Sequence, residues 1–134
     1  MLHTAEKDAK EVSIEELAKL AASGNFSQLA ASGNFSQLAA SGYGSQLAAS
    51  GNFSQLAASG YESKLSASGE GSVVANIGIG GIAKGAKGNW ITLAEWKYDG
   101  NKYDPLAVVT KQVDGEEIKA DTWYKLVDGK FEAQ

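Results

Sequence analysis

The sequence predicts a mostly β fold: a two-faced parallel β-solenoid of about 18 residues per coil, with an N-terminal α-helical cap and a C-terminal antiparallel β cap. Three observations carry that expectation. A nine-residue unit, Leu-Ala-Ala-Ser-Gly-Asn-Phe-Ser-Gln, recurs from Leu20 to about Val73. A unit so short can bury its apolar side only against the units above and below it. Within it the constant residues (serine, leucine two on, alanine two beyond) share one parity, the period of a strand with that face inward. The turn aromatics then select the coil, because Phe35 and Phe53 lie 18 apart, as do Tyr43 and Tyr61. Two units per coil stack each pair one strand spacing, ~4.8 Å, apart. Three units would pair Phe26 with Phe53 and leave the tyrosines unmatched.

Taken in order, the chain divides into a cap over 1–24, the nonapeptide array over 25–94 and a second cap over 95–134. Ser13 followed by Glu16 reads as a capping box, with Val12 and Leu17 in hydrophobic-staple positions. Ile14, Leu17 and Leu20 form one apolar face, and Gly24 ends the predicted helix.

In the array, Ser27, Ser36, Ser45, Ser54, Ser63 and Ser72 never vary, and neither do the leucines and alanines that share their parity. Gln28, Gln37, Gln46, Gln55 and Lys64 therefore point outward. The Asn-Phe, Tyr-Gly, Tyr-Glu and Glu-Gly pairs vary, as an exposed turn permits. The invariant Ser-Gly glycine is expected to supply the turn's special backbone conformation. From Gly78 the repeat decays while keeping its phase, with Ile77, Ile79 and Ile82 enlarging the core and Trp90–Ala94 as a last rung. Antiparallel strands are expected over Trp90–Tyr98, Leu106–Val113, Ile118–Val127 and around Phe131. Turns at Asp99-Gly100-Asn101, Asp114-Gly115 and Asp128-Gly129 separate them. Trp96, Trp123 and Tyr124 are expected to cover the open end, which is otherwise a sticky sheet edge.

Composition narrows the function classes. The 134 residues carry a net charge of −4, too mild for a polyanion mimic, and all 12 bases are lysine. Without arginine, the usual bidentate reader of phosphates and base edges, nucleic-acid binding is disfavoured. There is no cysteine, so no disulfide or thiolate chemistry. No apolar run nears the ~20 residues of a membrane span, and the polar start has no secretory core. A protein of the bacterial cytoplasm, without membrane partner, cofactor or metal, is expected.

Candidate sites dissolve into the repeat one by one. Gly78-x-Gly80-x-x-Ala83 matches a relaxed dinucleotide fingerprint, but it sits in repeat phase and leads into strands rather than a helix. Calcium-binding nonapeptides share the unit length yet need an aspartate in every turn, and these turns have no acid before Glu62. Ice-binding sheets carry threonine ladders where this chain has glutamine and alanine. His3 has no metal partner in sequence, and Asp99, Asp104, Asp114, Asp121 and Asp128 fall mostly in turns, so no catalytic residues are assigned. What remains is an interaction surface: Phe26, Phe35, Tyr43, Phe53 and Tyr61 projecting in rows, with Gln28, Gln37, Gln46 and Gln55 beside them.

The strings Gly88-Asn89-Trp90-Ile91-Thr92-Leu93-Ala94-Glu95-Trp96, Val113-Asp114-Gly115-Glu116 and Ile118–Gly129 resemble the tail of small β-helix proteins. That family comprises uncharacterised proteins of phages and mobile elements of gut-type bacteria, and the resemblance spans roughly residues 27–134. It supplies no catalytic residues. It implies a mobile-element accessory protein that blocks a host defence nuclease by binding it, as anti-CRISPR proteins do. A non-enzymatic protein-binding module is thus the leading expectation. A structural element that pairs with itself, for instance as a homodimer, is the alternative, and a nucleic-acid binder comes last.

Overall fold

The computed structural model describes residues 2–5, 11–14 and 19–134, with side chains from Lys19 onward. Among the described residues, fourteen strands build two seven-stranded sheets. Ten short ones form the coil: β1 (Leu2–Ala5), β2 (Glu11–Ile14), β3 (Lys19–Ala22), β4 (Gln28–Ala31), β5 (Gln37–Ala40), β6 (Gln46–Ala49), β7 (Gln55–Ala58), β8 (Lys64–Ala67), β9 (Val73–Asn76) and β10 (Ile82–Gly85). Four follow: β11 (Trp90–Tyr98), β12 (Tyr103–Gln112), β13 (Tyr124–Val127) and β14 (Lys130–Ala133). The first sheet runs β1-β3-β5-β7-β9-β11-β12, the second β14-β13-β10-β8-β6-β4-β2. Odd and even strands of the array thus alternate between sheets, and each coil takes two nonapeptides. Leu29 stands over Leu47 and Leu38 over Leu56, 18 residues on.

Parity works as the sequence implies. Leu20, Leu38 and Leu56 face Leu29, Leu47 and Leu65 across the interior, each 2% exposed or less. Each such burial stabilises by ~1.5–3 kcal/mol. The paired alanines (Ala31, Ala40, Ala49, Ala58, Ala67) and the serines complete the inward face. The buried hydroxyls are satisfied locally: Ser27 Oγ donates to the Gly24 carbonyl and Ser36 Oγ to the Gly33 carbonyl, both at 2.7 Å. Among the described residues no buried side-chain polar atom lacks a hydrogen-bond partner.

The helical cap expected over 1–24 is not found: the described residues contain no helix. Leu2–Ala5 pairs in parallel with Lys19–Ala22, and Glu11–Ile14 with Gln28–Ala31. Ser13 of the expected capping box lies in β2, while Glu16 and Leu17 lie outside the described residues. Magnitudes explain the outcome at Leu20. Alanine and leucine gain at most ~0.7 kcal/mol each from helix propensity, whereas burial of one leucine contributes ~1.5–3 kcal/mol. The first Leu-Ala-Ala therefore joins its neighbours Leu38-Ala39-Ala40.

Three further expectations are corrected at the other end. The phase slips by one residue, since Ile91 stands over Val74 at a separation of 17. Asn89 absorbs the slip from inside: its Oδ1 accepts the Ser72 N–H at 3.0 Å, and its Nδ2 donates to the Ala67 and Gly69 carbonyls at 3.1 Å. Ile77 is 46% exposed and Ile82 half-buried, because they fall in outward slots; Val74, Ala83, Ile91 and Leu93 fill the core instead. Of the strand expected over Ile118–Val127, only Tyr124–Val127 forms. It hydrogen-bonds β10 on one side and β14 on the other. Val113, Ile118, Tyr124 and Leu126, each under 5% exposed, plug the end of the coil, with Ala107, Val109 and Phe131 packed against them.

The invariant glycine has a different task from the one expected. A Cβ on Gly51 would collide with the Gly33 carbonyl one coil away, and one on Gly42 with that of Gly24. Close stacking of turns, rather than a special φ, excludes every larger residue there. The left-handed residue lies two positions on: Phe26, Phe35, Phe53 and Glu62 at φ 54–61°, and Gly44, Gly71 and Gly80 in the same slot.

Candidate interaction surfaces

Two turns per coil give the solenoid two edges, and its two sheets give it two outer faces. The nine candidate residues are distributed over all four. The turns at 24–26, 42–44 and 60–62 share one edge, which carries Phe26, Tyr43 and Tyr61; the turns at 33–35 and 51–53 share the other, which carries Phe35 and Phe53. Gln37 and Gln55 project from β5 and β7 on the first sheet, Gln28 and Gln46 from β4 and β6 on the second. The glutamines therefore form two separate rows facing opposite directions. Gln37 Nε2 donates weakly to Gln55 Oε1 at 3.4 Å along one row.

Both aromatic pairings expected from the 18-residue spacing form. Phe35 and Phe53 stack at 5.3 Å between centroids with planes 19° apart, and Tyr43 and Tyr61 lie 6.4 Å apart. The edges differ in length. Phe26 meets Tyr43 edge-on at 5.5 Å, Tyr61 meets Tyr103 at 6.0 Å, and Tyr103 meets Tyr98 at 4.9 Å. Five rings thus run in one chain from the first described turn to the tip of the β11–β12 hairpin, each 41–55% exposed. Tyr98 and Tyr103 lie outside the repeat and escape a search by repeat phase. Their signal is subtler: they flank the Asp99-Gly100 turn and pair across it.

The rings are held by backbone and side-chain ladders. The N–H of Phe26 donates to the Tyr43 carbonyl at 2.7 Å, and that of Phe35 to the Asn52 carbonyl at 2.8 Å. Asn25 Oδ1 accepts the Tyr43 N–H at 2.9 Å, and Asn34 Oδ1 the Asn52 N–H at 2.8 Å. The Tyr43 hydroxyl donates to Glu62 Oε2 at 2.7 Å. That hydrogen bond, reinforced by the carboxylate's charge, lifts the phenol above its ordinary pKa.

The outer faces are chemically distinct. Beyond Gln37 and Gln55 the first sheet turns apolar: Val73, Ile77 and Trp90 are 45–46% exposed, Leu106 57% and Val108 61%. A shallow trough of about 550 Å³ runs beside its row of Ala21, Ala39, Ala57 and Ala75. The second face carries Lys64 and Lys84. The Lys84 ammonium lies 4.8 Å over the Trp123 ring and 3.2 Å from the Asp121 carboxylate. Among the described residues no group of three or more His, Cys, Asp or Glu could hold a metal ion, and no helix is long and apolar enough to cross a membrane. The chain matches no family model, no curated protein and no solved structure.

Proposed function

We propose that the protein is a non-enzymatic protein-binding module acting through a rigid surface, in the setting its C-terminal strings imply: a phage or mobile-element inhibitor of a bacterial defence nuclease. The observation that supports this most is the five-ring ladder from Phe26 to Tyr98. Exposed aromatics are the side chains interfaces most often use as anchors. Ladder hydrogen bonds already fix these turns, so docking on them orders little that was free. The trough of about 550 Å³, lined by alanine and serine with Ile77 at one end, offers a partner shape rather than acid–base chemistry.

The test pairs binding with protection. Wild-type protein and a Tyr43→Ser/Tyr61→Ser variant serve as baits in bacterial lysate and are expressed in a strain that destroys incoming plasmid by CRISPR interference. The wild type is expected to retain a defence nuclease and raise transformation, and the variant to do neither. Failure of the wild type to protect in any interference-competent strain, together with no ladder-dependent partner, overturns the reading.

A further inference from the structure

We propose that the outer face of the first sheet packs against the same face of a second copy of this chain, about a two-fold axis that runs along the solenoid. The surface differs from the aromatic ladder, and the proposal stands apart from the functional reading above. Its centre is the apolar end of the face, where Val73, Ile77, Trp90 and Val108 are 45–61% exposed. A contiguous exposed patch of this kind marks a contact surface.

Strand pairing fixes which side chains look outward. Trp90 stands beside Val73, and Thr92 beside Ala75. The Thr92 and Thr110 hydroxyls bond each other at 2.8 Å, so β12 shows Thr110, and with it Val108 and Gln112, on the same side. The larger residues Gln37, Gln55, Val73 and Trp90 therefore form one outward row. Ala39, Ala57, Ala75 and Thr92 form the next, a row of small side chains flanked by troughs of about 480 and 550 Å³.

Charge and polar pairing separate this face from the other. Neither row holds a charged residue from β5 to β12, whereas the second face carries Lys64 and Lys84. Depletion of charge is what distinguishes the core of an interface from ordinary surface. The polar groups within the patch already have partners in their own chain. Besides the threonine pair, Trp96 donates its indole N–H to the Ile77 carbonyl at 2.9 Å. Covering the patch leaves both bonds intact, so it strands no donor.

A second copy matches both the relief of this face and its gradient from polar to apolar. A two-fold axis along the solenoid reverses strand direction and keeps every rung at its own height. The large row of each copy then enters the small row of the other. Val73 and Trp90 reach Ala75, Thr92 and Ile77 of the second copy, and the glutamines meet at the far end. An axis along the strands would instead lay large row on large row and the apolar end on the glutamines. The six strands from β3 to β12, ~4.8 Å apart and about five residues long, give a flat footprint of roughly 400 Å². Relief raises the accessible area toward the ~800 Å² per partner of a standard interface. Only one end is apolar, so assembly is expected to depend on concentration.

Light scattering across a concentration series, with NMR spectra at each step, tests the proposal. Mass is expected to rise from monomer to dimer. The Trp90 indole and the Ala57 and Ala75 methyls should shift in step with the dimer fraction, while Lys64, Lys84 and Trp123 on the second face hold still. Val73→Gln and Trp90→Gln restore the glutamine of earlier rungs in solvent-facing slots, so both should stay folded. Each should raise the dimer Kd by about tenfold or more. Ala57→Gln removes no large apolar side chain but fills the small row, and it should weaken the dimer too, which association without fit would not show. A monomer at every concentration, a dimer indifferent to these variants, or shifts confined to the second face or to the β12 edge overturns it.

Discussion

Gly81 and Asn76 share one buried space: a Cβ on Gly81 would fall on the Asn76 carboxamide. Both depart from the repeat, Gly81 from the serine slot and Asn76 from the inward alanine slot. Asn76 Nδ2 donates to the Ser63 carbonyl at 2.7 Å and the Ile82 carbonyl at 3.0 Å, and its Oδ1 faces the Gly78 N–H at 3.4 Å. The larger residue at one position is thus matched by the missing side chain at the other.

Restoring one member of the pair should therefore harm, and restoring both should not. Gly81→Ser overpacks the site and is expected to destabilise by about 1–3 kcal/mol. Asn76→Ala removes two carbonyl partners and opens a gap, at a cost of about 1–3 kcal/mol. The double variant recreates the serine and alanine of earlier coils and should recover most of the loss. Urea melts of the four proteins give the coupling directly; additive losses would show that the two residues act independently.

The turns yield a second contrast, between two residues two apart. Gly51→Ala drives a methyl into the Gly33 carbonyl, backbone that cannot rotate away, and should cost upwards of about 2 kcal/mol. Phe53→Gly looks the more drastic change. It forfeits the stack on Phe35, ~0.5–1.5 kcal/mol, but relieves the ~1–2 kcal/mol that a side chain costs in the left-handed region. Its net effect should stay within about 1 kcal/mol. Denaturant midpoints for the two variants check the order, and a Phe53→Gly loss matching that of Gly51→Ala would refute it.

Much of this architecture was legible because a repeat tests every position several times. Constancy of Ser27 to Ser72 marked the inward face, and the spacing of Phe35 and Phe53 fixed two strands per coil. What stayed hidden was whatever the repeat does not average. Glu11–Ile14 is a rung, yet Val12 stands over Leu29 at a separation of 17, so a search at the array's own period passes it by. Its Ser13 and Glu16 then read as a capping box. Constancy of the glycine was visible, but its cause was not, since steric crowding between coils and a left-handed φ leave the same mark. The discriminating signal was present: glycine at 44, 71 and 80 substitutes for phenylalanine two places further on. On the surface, the apolar drift of the outward slot at Val73 foreshadowed the exposed patch near Trp90. The Asp99-Gly100 turn pairs Tyr98 with Tyr103, but repeat phase could not show that they extend a ladder begun at Phe26.

Acid should loosen the plug at the end of the coil before it affects the array. Asp114 Oδ1 accepts the Glu116 N–H at 2.8 Å and the Ile118 N–H at 3.0 Å. These two backbone donors hold its carboxyl below the ordinary aspartate pKa, Glu116 contributing most and Ile118 next. Because the folded pKa is depressed, the stabilisation is complete above the unfolded value of ~3.9 and disappears as pH falls through the lower folded value. The turn matters beyond its own exposure because it anchors Ile118 and follows Val113, both 2% exposed or less at the end of the core. Asp114→Asn keeps the acceptor and removes the charge. In dilute solution it should melt below the wild type at neutral pH and converge with it in acid, once the wild-type carboxyl is protonated. An NMR titration should place the Asp114 midpoint below ~3.9, with the Ile118 amide shifting at the same pH. A gap in melting temperature that stays constant across the acid range would show that the charge does not hold the plug.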